Sequence, residues 1–73
     1  MRRYVDEHGR DWDVVLGRES WGTLLALFVP RDGGTARQAT LRAVDYNAAQ
    51  QELDALDDRA LADMLRDSVE KSE

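Results

Sequence analysis

Apolar residues recur with a period of about two over the first 44 positions, and at steps of three and four beyond position 45. The pattern therefore predicts strands first and helices afterwards. Residues 2–7, RRYVDE, form a short first strand that ends at the turn signal His8-Gly9. In residues 10–18, RDWDVVLGR, Trp12, Val14 and Leu16 alternate with Asp11, Asp13 and Val15, so a second strand is expected to pair with the first as a hairpin. Residues 23–29, TLLALFV, make the third strand, with Leu24, Ala26 and Phe28 on one side and Leu25, Leu27 and Val29 on the other. Both sides are apolar, so this strand is expected to be central and covered on at least one face.

Pro30 has no N–H for a ladder, and the Gly33-Gly34 pair tolerates positive φ, so the third strand is expected to stop at residue 29 and reverse. Residues 35–44, TARQATLRAV, resume the period of two as a fourth strand near an edge. Ala39, Leu41 and Ala43 are its drier positions, and Arg37 is one residue out of phase, which points to a bulge near Gln38.

From Asp45 onward the chain is rich in Ala, Leu, Gln and Glu and contains neither Gly nor Pro. Asp45 or Asn47, and then Asp57, are N-cap residue types, so two helical segments are expected. In the second, Leu61, Met64, Leu65 and Val69 form an apolar stripe opposite Asp63, Arg66, Asp67 and Glu70. Asp57 and Asp58 at its start and Lys71 at its end suit the helix dipole. The predicted fold class is α+β: a four-stranded antiparallel β-meander (residues 1–44) packed by a C-terminal helical hairpin or broken helix (residues 45–73), as one small domain.

Composition narrows the chemistry. At 73 residues, with 42% apolar and 34% charged residues, the chain is an ordinary globular domain near the lower size limit for a self-sufficient core. It has no cysteine, which excludes disulfides, thiolate metal sites and a cysteine nucleophile. The longest apolar run is far short of the roughly 20 residues that span a bilayer, and no apolar region follows Arg2 and Arg3, so a cytoplasmic protein without membrane contact is expected. The net charge of −5 is uneven. Residues 1–42 carry seven arginines against six acids, whereas residues 43–73 carry three bases against nine acids.

Candidate partner-binding residues follow from that split. Trp12 shares the parity of Val14 and Leu16 and is expected in the core, whereas Trp21, beside Gly22 at a strand start, is a candidate contact. Tyr4, Arg18 and Arg37, with Trp21, are the aromatic and basic ingredients of a nucleic-acid-binding sheet, although interleaved acids and a pI near 4.7 count against that use. Asp58, Asp63 and Asp67 could instead present an acidic helix face to a basic protein, in the manner of an inhibitor or antitoxin. For catalysis the inventory is thin. His8 is the one histidine and sits in a turn, Asp11 and Asp13 share a strand face without a cleft, and Ser20 has no triad context. No metal-ligand spacing occurs, and no cofactor or small-molecule substrate is implied.

The opening YVDEHGRDWDVV, with its V-D-x-x-G-R-x-W order, resembles that of small uncharacterised bacterial proteins in which a short β-meander precedes a C-terminal helix. That resemblance implies the same layout and no particular activity. The expected function is a non-catalytic protein-interaction module or small adaptor, binding a protein partner or a second copy as a homodimer through an apolar sheet face. The alternatives are a nucleic-acid-associated regulator and the acidic inhibitor.

Overall fold

The computed structural model describes residues 2–71. The element order is β1 (Arg2–Val5), β2 (Asp11–Arg18), β3 (Leu24–Pro30), β4 (Arg37–Thr40), α1 (Tyr46–Asp54), α2 (Asp58–Asp67) and β5 (Val69–Glu70). The strands form one antiparallel sheet in sequence order, β1-β2-β3-β4-β5, with both helices inserted before the last strand. The fold is thus α+β, as the periodicities predict, with a fifth strand added. No helix among the described residues is long and apolar enough to cross a membrane.

Register decides which residues share a face. Tyr4 pairs with Trp12 and Trp12 with Pro30; Val14 pairs with Phe28 and Leu16 with Ala26. Of these, Tyr4, Trp12, Val14, Ala26 and Phe28 form the core with Leu24, Leu41, Ala49, Leu53 and Leu61 on the helix side of the sheet, and the partly buried Leu16 packs against it. Phe28 is fully buried, and Trp12 meets it edge-on with ring centroids 6.4 Å apart. The other parity, Val15, Gly17, Leu25, Leu27 and Val29, faces away from the helices. Of the two sides of β3, the one bearing Leu24, Ala26 and Phe28 is therefore the covered one.

Both helices begin on aspartate caps. Asp45 Oδ1 accepts from Ala48 N and Asp57 Oδ1 from Ala60 N, each at 2.8 Å. Arg2 Nη1 donates to Leu53 O at 3.0 Å near the end of α1, where a cation meets the carbonyl end of the dipole. Glu52 on α1 accepts from the backbone N–H groups of Arg42 and Ala43, which ties the preceding loop to the helix. At its start α2 lies near β1 through the 3.9 Å Arg2–Asp58 pair, and at its end it reaches β4, where Arg37 binds Ser68. Three strand spacings of about 4.8 Å are close to the rise of ten helical residues at about 1.5 Å each, so the helix is long enough to cross the sheet from edge strand to fourth strand.

Several expectations are corrected. The third strand runs through Pro30, which sits at its last position opposite Trp12. A strand end tolerates a missing N–H. The fourth strand is four residues long and has no bulge: Gln38 pairs with Leu27 and Arg37 with Phe28 in unbroken register. Arg37 is in phase with Ala39 on the helix side, because its guanidinium reaches the end of α2. There Arg37 Nε donates to Ser68 Oγ at 2.8 Å and Nη2 to Ser68 O at 2.6 Å. Val69 does not belong to the α2 stripe. Ser68 turns extended, and Val69 and Glu70 leave the helix to pair with Gln38 and Arg37. Lys71 likewise lies beyond the sheet rather than at a helix end, its N–H donating to Ala36 O. The expected helical half extended to residue 73; Ser72 and Glu73 lie outside the described residues.

The covered face therefore rests on Leu61, buried and central in α2, whereas Leu65 is half-buried at its margin. Leu61→Ala is expected to destabilise the fold by about 2–5 kcal/mol. Leu65→Ala is expected to cost roughly half as much, in proportion to the area it removes from water. Denaturant unfolding of the two variants measures both, and equal losses would place Leu65 deeper in the core than its exposure indicates.

Candidate interaction surface

The side of the sheet away from the helices is built row by row. Val15, Leu27, Gln38 and Val69 are successive neighbours across β2, β3, β4 and β5, and Gly17, Leu25 and Thr40 form the next row. Gly17 permits a close approach: a Cβ there would stand 2.6 Å from Leu27 Cδ1, so Leu27 folds down over the glycine and flattens the face. Toward the far end of β2, Arg3 pairs with Asp11 at 2.9 Å and Arg31 with Asp13 at 4.0 Å. The hydrogen bond to Arg3 lowers the Asp11 carboxyl and raises the Arg3 guanidinium from their ordinary values. Asp11 and Asp13 each lie beside an arginine.

Trp21 stands at the other end of this face. The turn between β2 and β3 closes through Gly22 N to Glu19 O at 2.9 Å, with Gly22 at a φ of +102°, and it holds the indole out at 75% exposure. Trp21, Leu25, Leu27 and Lys71 are among the walls of a cleft of about 330 Å³. With Val29 at 40% and Val69 at 59% exposure, the face carries an apolar centre with ion pairs to one side and an aromatic at its end.

The candidate residues separate in the structure. Trp21 and Arg18 are exposed at the β2–β3 end and close together in sequence and space. Tyr4 is a correction: its register opposite Trp12 turns it into the core, and burial, with nearby Asp6, raises its phenol above the ordinary value. Arg37 is a second correction, held at the end of α2 instead of free on the sheet. Asp58, Asp63 and Asp67 are exposed on α2, where Asp58 lies near Arg2 and Arg66 pairs with both Asp63 and Asp67. They are on the side of the molecule opposite Trp21's face, so no single surface unites the seven. Three exposed apolar residues, Val5, Val44 and Tyr46, escaped the sequence reading. Val44 precedes the Asp45 cap, where an apolar side chain usually packs on the fourth helical residue. Here that residue is the small, buried Ala49, and Val44 stays 89% exposed beside Tyr46.

The acidic and basic groups of the β1–β2 turn have a structural task. Asp6 Oδ1 accepts from His8 N and Arg10 N, and Oδ2 accepts from Trp12 Nε1 at 3.0 Å. The Arg10 guanidinium stacks 4.7 Å from the Trp12 ring centroid and donates to Asp32 and Gly33 O, joining this turn to the β3–β4 turn. An open cleft of about 410 Å³ lies between the turn and α2, lined by Tyr4, Asp6, His8, Arg59 and Arg66 among others. Its His8 is exposed and 3.7 Å from Glu7. Among the described residues no cluster of three or more His, Asp or Glu is placed to hold a metal ion.

No family model matches the chain, and no curated protein or solved structure matches it either.

Burial acts to raise the Asp6 carboxyl, but the hydrogen bonds from Trp12, Arg10 and His8 outweigh it and hold the group below its ordinary value. A lowered native value stabilises the fold above the unfolded value of about 3.9, and that contribution is lost as pH falls through the native one. Asp6→Ala is expected to cost about 1–3 kcal/mol near neutral pH, because Trp12 Nε1–H and two backbone N–H groups lose their acceptor. Denaturant titrations of both proteins, repeated below about pH 3, are expected to show the gap narrowing. A gap that ignores pH would mean that the charge on Asp6 contributes nothing.

Proposed function

We propose that the protein is a non-catalytic protein-interaction module that self-associates through the uncovered face of its sheet, working in the cytoplasm. The observation that carries this reading is a sheet face with no second layer among the described residues, on which Val15, Leu27 and Val69 share a row with Gln38, and Val29 and Trp21 lie beside it. The molecule measures 32 × 28 × 20 Å along its principal axes, so an interface of the standard size of about 800 Å² per partner would occupy most of one broad side. An apolar centre with charged pairs at its margin is the usual anatomy of such interfaces. A twofold arrangement lets one patch serve both copies.

The acidic-inhibitor reading has exposed Asp58, Asp63 and Asp67 in its favour, but Arg66 already neutralises part of that helix face. The nucleic-acid reading is weakened further. Arg3, Arg10 and Arg31 each face an aspartate, and of Tyr4, Trp12 and Trp21 only the last is exposed for stacking.

Light scattering gives the mass in solution at low salt and at about 1 M, where charge pairs are screened over about 3 Å. A dimer at both concentrations is expected, because apolar association survives salt. Val29→Arg places a charge on an exposed position of the face and is expected to return a folded monomer. A compact wild-type monomer at high micromolar concentration would refute self-association. A mass increase that needs an added oligonucleotide and vanishes with salt would favour the nucleic-acid reading instead.

A further inference from the structure

Granted the self-association proposed above, the two ends of the uncovered face decide how a second copy lies on it. The β2–β3 ladder runs one step past the strands at each end, through Glu19 N to Thr23 O at 2.8 Å and Arg31 N to Asp11 O at 3.0 Å. Leu27, opposite Val15, is therefore its midpoint, with Thr23 and Arg31 each four residues, or about 13 Å, away. The ends are unlike. At one, Trp21 projects at 75% exposure, and Glu19 reaches across β3 to Gln38. That bond, 3.4 Å long, is the one hydrogen bond of the Glu19 side chain among the described residues. At the other end Arg31 is half-exposed and 4.0 Å from Asp13, a looser contact than the 2.9 Å Arg3–Asp11 pair beside it.

A twofold axis that stacks two such faces lies in the plane between them, and two settings overlap the faces fully. With the axis along the strands, each end meets its own counterpart. Trp21 then lies over Trp21 and Arg31 over Arg31, and the like charges oppose each other. With the axis across the strands, Leu27 still meets Leu27, but each Arg31 comes over the end of the second copy that holds Glu19 and Trp21. There a guanidinium finds a carboxylate to pair with and an exposed indole to stack on. Packed sheets cross at about 30°, which moves points about 13 Å from the axis sideways by about 7 Å, roughly the reach of an arginine side chain.

We propose that two copies stack head to tail, with the twofold axis crossing the strands at Leu27, so that Arg31 of each copy seats on Trp21 and Glu19 of the other. The aliphatic residues supply contact in either setting, whereas Arg31, Glu19 and Trp21 select between them. Tryptophan and arginine are also among the residue types that most often dominate binding energy at interfaces.

Only the head-to-tail arrangement lets two defective variants repair each other. Arg31→Glu and Glu19→Arg each bring like charges together at both contacts of a homodimer, and each is expected to weaken association about tenfold at low salt. Their equimolar mixture forms a dimer with one native and one reversed contact, and light scattering is expected to return close to the wild-type mass. Trp21→Ala is expected to weaken association by a similar factor.

Cross-linking gives the orientation without touching these contacts, should a charge reversal unfold the chain. The protein has no cysteine, so Ser20→Cys and His8→Cys, at exposed turn positions at opposite ends of the face, each carry a single thiol. A bismaleimide that spans about the 10 Å between packed sheets is expected to join a Ser20→Cys chain to a His8→Cys chain, and to leave each variant alone unjoined. Cross-links between two Ser20→Cys chains, a mixture of folded charge variants no heavier than its components, or a Trp21→Ala protein that associates like the wild type would overturn the arrangement while a wild-type dimer stood. A wild-type monomer would remove the arrangement and the self-association together.

Discussion

A strand apolar on both faces, in a chain with helix enough for one, is the constraint from which the rest of this structure follows. β3 is central and carries Leu24, Ala26 and Phe28 on one side and Leu25, Leu27 and Val29 on the other. The two short helices can cover only one side of a five-stranded sheet. They cover the side that holds Trp12 and Phe28, where large rings remove the most apolar area from water. The opposite side is left with aliphatic residues that the molecule shields only by its own devices: Leu27 laid over Gly17, and Trp21 standing over one end. The proposed self-association is the consequence of that asymmetry.

Two polar connections hold the covered layer in register. Asp6 gathers the β1–β2 turn and the Trp12 indole onto one carboxylate, and Arg10 extends the same cluster to the β3–β4 turn. Arg37 does comparable work at the other margin. By binding the Ser68 hydroxyl and carbonyl it receives the end of α2, and the extended backbone there sends Val69 and Glu70 back to the sheet. Both are cases of a charged side chain serving the fold from a position that reads as surface. Residues that look like binding groups in a list, Tyr4 and Arg37 among them, are in this way consumed by packing. Those left over, Trp21, Arg18, Val44 and Tyr46, gather at one end of the molecule.

Much of the architecture was legible because periodicity reports burial directly. The alternation of Trp12, Val14 and Leu16, the double-sided run at β3 and the caps Asp45 and Asp57 each have one local cause, and each appears in the structure. The misreadings share a different origin. Arg37 broke the alternation only under the assumption that a charged residue faces solvent, whereas its length let it stay in phase and reach α2. Val69 fitted the helical stripe by spacing, but the helix ends at Asp67, where Arg37 on the fourth strand captures Ser68. Val44 gave no signal at all, since its exposure depends on the small size of Ala49 one helical turn later.

The sequence by itself determined the α+β class, the antiparallel order of the first strands, the two capped helices and the existence of an apolar side that the helices could not cover, because each depends on neighbours within a few residues. Which side that would be, the fate of Tyr4 and Arg37, the fifth strand, and the meeting of Trp21 with Val44 and Tyr46 around Arg18 were decided only by tertiary structure. They depend on strand register and on contacts between residues about 20 to 50 positions apart, and a single residue's shift in register exchanges one face for the other.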